Sequence, residues 1–448
     1  MNKVNDLIHG NITQCLIKFA IPFLLANFVQ FLYGTMDMAI LSWFTSNASI
    51  SAVNVGTQVM QFISSLVTGL TMGATILVAM LIGSNRREEL KETVSATISL
   101  FIFLGTVVML TVIALIPNLV NLLRTPTEAV QLARNYIMIC GFGIIFTFGY
   151  NAIAAILRGM GDSKNPLIFI SVACVTNIVL DFIFIGTFKM DTSGAALATT
   201  ISQGISFLLA IIHLQKSRNY FDLRKMKMNW NISKIIMKIG IPVSFQEAII
   251  SISFIFITAV VNTFGVNASA AIGICSKFEA LAMLPASAFG AALSTFVAQN
   301  MSANKEDRAI KSLKVSIGLS FAFSVIFFVI GHYFPNVVMS IFNSSPEVAL
   351  AGSQYLLWFS VDFILVAFGF TFNGFYNGCG KTVFAMLVGV IASIFVRIPL
   401  TYLLVELTPG NLTGIGIAIP IATTFQIIVY FIYLKTNRWK NFELTQES

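Results

Sequence analysis

Charge is what this 448-residue sequence has least of: Asp, Glu, Lys and Arg make up 10%, against roughly 25% in ordinary soluble domains. Histidine is nearly absent. His9, His213 and His332 are far apart, and none opens the His-Glu-x-x-His spacing of a zinc protease. The five cysteines, Cys15, Cys140, Cys174, Cys275 and Cys379, lie in or beside apolar runs without a CxxC pair. That spacing suggests neither a metal site nor a disulfide framework, and they read as small packing residues. No stretch between apolar segments is long enough for a soluble nucleotide-binding domain. Gly378-Cys379-Gly380-Lys381-Thr382 imitates the end of a phosphate loop, but Phe375 stands where its leading glycine belongs. An ATPase and a metal enzyme are both disfavoured, no catalytic residue is expected, and any pumping draws on an ion gradient.

Apolar sequence fills the rest: 56% hydrophobic residues, 41 Phe and a mean hydropathy of +0.85. A helix crosses the hydrocarbon with about 20 apolar residues. Breaks at charge and turn clusters give twelve spans, near 15–43, 53–82, 93–117, 131–157, 166–187, 194–214, 235–263, 269–300, 312–339, 351–377, 382–407 and 413–436. The fold class is therefore all-α integral membrane protein. With the first residues inside, twenty-two Lys and Arg fall on the cytoplasmic side and only Arg124, Arg134 and Lys189 outside. That asymmetry predicts a multi-pass plasma-membrane protein with both termini cytoplasmic. The first apolar run leads to Asp37 rather than to a small-residue cleavage site, so it is expected to remain as a helix. The net charge of +8 reads as a topology signal facing anionic lipid, not as nucleic-acid binding.

Laid on itself with a shift near 220 residues, the chain repeats in order. Ala20-Ile21-Pro22 answers Gly240-Ile241-Pro242, Asn47-Ala48-Ser49 answers Asn267-Ala268-Ser269, Asn85 answers Asn304, and Gly159-Met160-Gly161 answers Gly378-Cys379-Gly380. Six helices per half keep both halves in one orientation, a parallel repeat about an axis along the membrane normal. This predicts two pseudo-symmetric six-helix lobes, 1–214 and 235–448, joined by a basic cytoplasmic linker, 215–234. Chance likeness of two apolar halves is the competing explanation, and three separately matched motifs weigh against it.

Ionisable side chains inside spans are costly and point to function. They are Asp37, Asp181, Glu247, Lys277, Glu279, Asp362 and Arg397. Asp37 lies about 22 Å beyond Pro22 at 1.5 Å per residue, in the outer half of helix one. Asp181 shares that depth on helix five, with Asn177 one turn earlier on the same face. Two nearby carboxyls away from water, with an amide able to bond either protonation state, can load and unload a proton or cation near neutral pH. The alternative is that either Asp caps a backbone break or lines the outer mouth. Pro22 either bends helix one or sits harmlessly in its first turns. In the second half, Gln246 and Glu247 follow Pro242; Glu247, Glu279 and Asp362 either form a second ion or substrate site or are an internal polar network neutralised by Lys277. Ile257 stands where the repeat would duplicate Asp37. The many Phe and Met suit a cavity for lipophilic cations.

Taken together, Ala20-Ile21-Pro22 leading to Asp37, Leu157-Arg158-Gly159-Met160-Gly161-Asp162-Ser163-Lys164, Asn177-x-x-x-Asp181, and Gly194-Ala195-Ala196 followed by Thr199 resemble the multidrug and toxic compound extrusion (MATE) family, of NorM and DinF type, over nearly the whole chain. The resemblance implies export of cationic compounds by alternating access, in antiport with H+ or Na+. It implies that Asp37 and Asp181 are the coupling site, with Asn177, Tyr136 and Thr199 as polar partners, Asn151 as a further amide in poorer register, and Pro22 as the bending point. The acidic residues of NorM-like helices seven and ten do not align cleanly with Glu247 and Asp362, which favours protons. No cofactor is expected beyond the coupling ion; the partners are small organic cations and the bilayer, and a monomer is expected. A flippase of lipid-linked saccharides from the same superfamily is the alternative. It calls for a basic cavity, whereas the first-lobe residues here are acidic.

Overall fold

The structure is a computed structural model that describes residues 7–216, 227–341 and 345–440; Arg218, Arg224 and Lys225 of the predicted linker lie outside the described residues. Among these, twelve helices are long and apolar enough to cross a membrane. They are α1 (Ile12–Phe44), α2 (Asn47–Gly83), α3 (Arg87–Leu122), α4 (Val130–Gly159), α5 (Lys164–Thr187), α6 (Asp191–Lys216), α7 (Trp230–Asn262), α8 (Val266–Ser302), α9 (Glu306–Tyr333), α10 (Pro346–Gly378), α11 (Thr382–Leu407) and α12 (Thr413–Lys435). A short helix, Pro335–Ile341, lies between α9 and α10.

Several helices outrun the apolar spans that mark them, because charge ends a hydrophobic run without ending a helix. Glu88 and Glu89 occupy the first turn of α3, and Glu306 and Asp307 that of α9. There they oppose the unpaired N–H groups and extend the helix into the polar zone. At the other end α3 continues through Pro117 to Leu122. The predicted span 312–339 divides, since α9 stops at Tyr333 and Pro335 opens the short helix. α10 starts five residues early because Ser345 caps it, accepting from Val348 N, with Pro346 in the first turn.

The two halves repeat in packing as well as in sequence. In the first, α4 lies against α2, α3 and α6; in the second, α10 lies against α8, α9 and α12. Their turns match residue for residue. Asn85 and Asn304, in the α2–α3 and α8–α9 turns, take left-handed φ of 57° and 56°, and Gly161 and Gly380 take 89° and 72°. A β-carbon on Gly159 would lie 2.7 Å from the Thr75 carbonyl and from Val78, and one on Gly378 would lie 2.5 Å from the Ser294 carbonyl and 2.8 Å from Val297. Both glycines therefore let a helix end reach the backbone of its partner. The two contacts stand 219 residues apart, the shift already seen in the motifs.

By contacts the chain forms two compact units, Leu25–Ser244 and Phe245–Ser448, the second also holding the start of α1 up to Leu24. α1 and α7 each divide between units, two residues after Pro22 and two after Pro242. Within the second unit, Leu16, Phe19 and Ala20 pack with Phe289, Ala292 and Phe296 of α8. The lead-in to α1 is held there too, by Arg308 donating to the carbonyls of His9 at 3.0 Å and Gly10 at 2.7 Å and by Asn300 Nδ2 donating to that of Leu7 at 3.1 Å. Within the first unit, Gly240 of α7 meets Gly69 and Leu70 of α2, and Ser244 Oγ donates to the Leu66 carbonyl at 2.8 Å. The lead-in to α7 is fixed by Lys227 N donating to Ser95 Oγ at 2.9 Å.

Candidate functional site

Two buried polar clusters stand out, one in each compact unit. The first is built on α1 and α5. Asp37 and Asp181 are both buried, and their side chains face one another. The apposition is loose: neither oxygen of Asp181 and not Oδ1 of Asp37 has a well-formed hydrogen bond. Directly after Asp181 the α5 backbone widens into a π-helical segment, Phe182–Thr187. Such bulges change the register of the following residues and recur at functional sites.

Around the pair, Tyr33 on α1 faces Asp37 and Thr199. Tyr136 on α4 faces Cys140, Asp37 and Thr57, and Cys140 faces Thr200 as well. Asn177 is fully buried, and neither its Nδ2 nor its Oδ1 has a hydrogen-bond partner. It lies one turn before Asp181, as the spacing predicts. The groups facing the two carboxyls are thus carboxyl, phenol and thiol. Two carboxyls side by side away from water hold a proton or another cation between them, and unpaired amide and hydroxyl groups nearby can turn toward either state.

Asn151 is not brought to this cluster. Its Nδ2 donates to the Thr147 carbonyl one turn back in α4, at 2.8 Å, and it lies fifteen residues, about 22 Å of helix, from Tyr136 on the same α4. Pro22 does not sit in the first turns of α1; it is ten residues past Ile12 in a helix unbroken to Phe44. There it leaves the Lys18 carbonyl without its intrahelical donor.

The second cluster joins five helices. Glu279 on α8 faces Tyr355 and Asp362 of α10. Asp362 faces Thr423 of α12 and Arg397 of α11. Arg397 closes its own π-helical segment, Ile391–Arg397. Its Nη1 donates to Ser253 Oγ on α7 at 3.0 Å, and its guanidinium carbon lies 4.8 Å over the Phe254 ring. The cation facing Asp362 is Arg397; Lys277, two positions from Glu279 on α8, has an exposed side chain. Gln246 belongs elsewhere, against Gly389 and Tyr430, where the Tyr430 hydroxyl also accepts from Gln426 Nε2 at 3.1 Å. Glu247 is not among the groups facing Glu279 or Asp362.

With this geometry in place, comparison with known proteins finds the MatE family model matching residues 22–183 and again 242–403. The chain belongs to the MatE family. The two matched blocks begin at Pro22 and Pro242, so the family unit is one half of the repeat used twice. Among its relatives, the probable multidrug resistance protein YpnP of Bacillus subtilis is 28% identical and aligns over 99% of this chain and all of its own length. The probable multidrug resistance protein NorM of Thermotoga maritima is 27% identical over 96% of this chain and 94% of its own. A solved MOP superfamily transporter from Pyrococcus furiosus has the same fold, with a TM-score of 0.91, 24% identity and 98% of each chain covered. This MatE chain is thus a multi-pass membrane transporter of a multidrug transporter family.

Sequence reasoning missed three groups at the first cluster. Tyr33 precedes Asp37 by one turn and Cys140 follows Tyr136 by one turn, a signal available from i, i+4 spacing. Thr57 has no such signal. It is reached because Gly56, one residue earlier on α2, lets the Tyr136 ring close in: a β-carbon there would lie 2.2 Å from Tyr136 Cδ1.

Proposed function

We propose that this MatE-family protein is a secondary active exporter of lipophilic organic cations, working by alternating access of its two six-helix lobes, 1–214 and 235–448, in antiport with protons. Asp37 and Asp181 carry the exchange, supported by Asn177, Tyr136 and Thr199, and Pro22 is where α1 bends as the site changes access. The observation that carries this reading is the Asp37–Asp181 pair itself: two buried carboxyls face one another and three of their four oxygens lack a well-formed hydrogen bond. Such a pair exchanges one cation for another at little cost in rearrangement. An organic cation drawn to it from the inner leaflet displaces the proton, and a proton from outside displaces the cation in turn. Gradients can only drive the cycle through such competition.

Pro22 and Pro242 support the mechanical part, since α1 and α7 change compact unit two residues after each. The excess of Lys and Arg on one set of loops supports a plasma-membrane protein with both termini in the cytoplasm. A flippase of lipid-linked saccharides finds less support, because a pyrophosphate headgroup needs cationic ligands and the groups recorded around Asp37 and Asp181 are acidic or neutral.

Proteoliposomes test the proposal. Efflux of a lipophilic fluorescent cation is expected under an imposed pH gradient and not under a sodium gradient alone, and Asp37→Asn is expected to abolish it. Cation movement under neither gradient, or undiminished movement in Asp37→Asn, would reject the reading.

A further inference from the structure

The second-lobe cluster presents an unusual donor set for a membrane interior. Two carboxyls, Glu279 and Asp362, and the hydroxyls of Tyr355, Thr423 and Ser253 converge from four helices with one cationic side chain, Arg397. Glu279 Oε1, Asp362 Oδ1 and Arg397 Nε are each buried with no hydrogen-bond partner, although all three residues are less than 9% exposed. Hard oxygen ligands with surplus negative charge are what an alkali cation binds. Left without positive charge, two carboxylates in the membrane interior would be strongly unfavourable. Here the chain supplies a positive charge of its own. The guanidinium is held by donation from Nη1 to Ser253 Oγ at 3.0 Å and by the Phe254 face, 4.8 Å from its central carbon, and Arg397 is the last residue of a π-helical segment.

We propose that Arg397 is a tethered counter-cation that occupies the electrostatic place of a bound alkali ion and so excludes Na+ from the second lobe. It is a specificity-determining residue for the coupling ion, leaving the Asp37–Asp181 pair as the exchange site. The inference deepens the export reading, but it is tested by ion binding and not by export, so the two can fail separately. Arg397→Met removes the charge while keeping an unbranched side chain able to lie against Phe254.

The experiment compares melting temperatures of the purified full-length protein in choline and in Na+ at equal ionic strength. Wild type is expected to show no difference. Arg397→Met is expected to gain stability in Na+, about 3 °C or more at saturating ion. Arg397→Met combined with Asp362→Asn is expected to lose that gain, and Arg397→Lys, which keeps the charge, to behave as wild type. A Na+-dependent rise in wild type that Glu279→Gln or Asp362→Asn removes would overturn the proposal, whatever the fate of Arg397→Met. So would a folded Arg397→Met indifferent to Na+. Should that variant survive purification only in Na+, the proposal is supported by that fact.

Discussion

Gly56 and Gly34 make opposite predictions from the same substitution. Both are helical glycines beside the first cluster, and alanine favours a helix over glycine by about 1 kcal/mol. At Gly34 a β-carbon meets nothing within 4 Å, so Gly34→Ala is expected to stabilise by roughly 0.4–1 kcal/mol. At Gly56 the new carbon would lie 2.2 Å from Tyr136 Cδ1 and 2.7 Å from Cε1, where carbon atoms pack best at about 3.5–4.0 Å. Tyr136 is buried, so its ring has to leave its place or push α4 from α2. Overpacking of this kind costs about 1–3 kcal/mol, which cancels or exceeds the helix gain. The two variants should therefore differ by about 1–3 kcal/mol, read as apparent melting temperatures in one detergent at one scan rate. Because the displaced ring faces Asp37 and Thr57, Gly56→Ala should also reduce export several-fold while Gly34→Ala leaves it intact. Equal melting temperatures for the two variants would refute the steric argument, and unaltered export in Gly56→Ala would detach Tyr136 from the site.

Asp37→Asn and Asp181→Asn should each lower gradient-driven export at least about 10-fold, and the double variant should be no worse than either alone, as expected of groups acting as one unit; additive losses in a flux assay would contradict the pairing. Asn151→Ala should keep export within about two-fold, since its amide bonds only the Thr147 carbonyl and the net worth of such a bond is roughly 1 kcal/mol; a loss like that of Asp37→Asn would place Asn151 back in the site. Asn85→Ala and Asn304→Ala should each destabilise by about 1–2 kcal/mol because both residues hold left-handed backbone, whereas Asn85→Gly and Asn304→Gly should not; melting curves in which Ala and Gly variants coincide would speak against the matched turns.

The Asp37–Asp181 pair was legible because a charge in an apolar run is conspicuous: Asp37 is the sole charge between Lys18 and Arg86. Its neutral neighbours were less so: Tyr33 and Cys140 carry only their i, i+4 spacing from Asp37 and Tyr136, and Thr57 resembles any other residue of a helix until α2 and α4 are brought together. The division of α1 and α7 between compact units is also long-range, with only Pro22 and Pro242 marking it in sequence. Arg397 was visible as an intramembrane cation, but which carboxyl it faces depends on how α10 and α11 pack, and composition carries no sign of that. Helix ends were misplaced where Glu88, Glu89, Glu306 and Asp307 extend α3 and α9, because hydropathy records where lipid ends and not where hydrogen bonding does.

The central claim, that an organic cation and a proton compete for Asp37 and Asp181, is tested most directly by following proton release with a pH-sensitive dye as a lipophilic cation is titrated into purified, weakly buffered protein. The account predicts release of about one proton for each cation bound, and none from a variant carrying both Asp37→Asn and Asp181→Asn. Cation binding to the wild-type protein without proton release would contradict it.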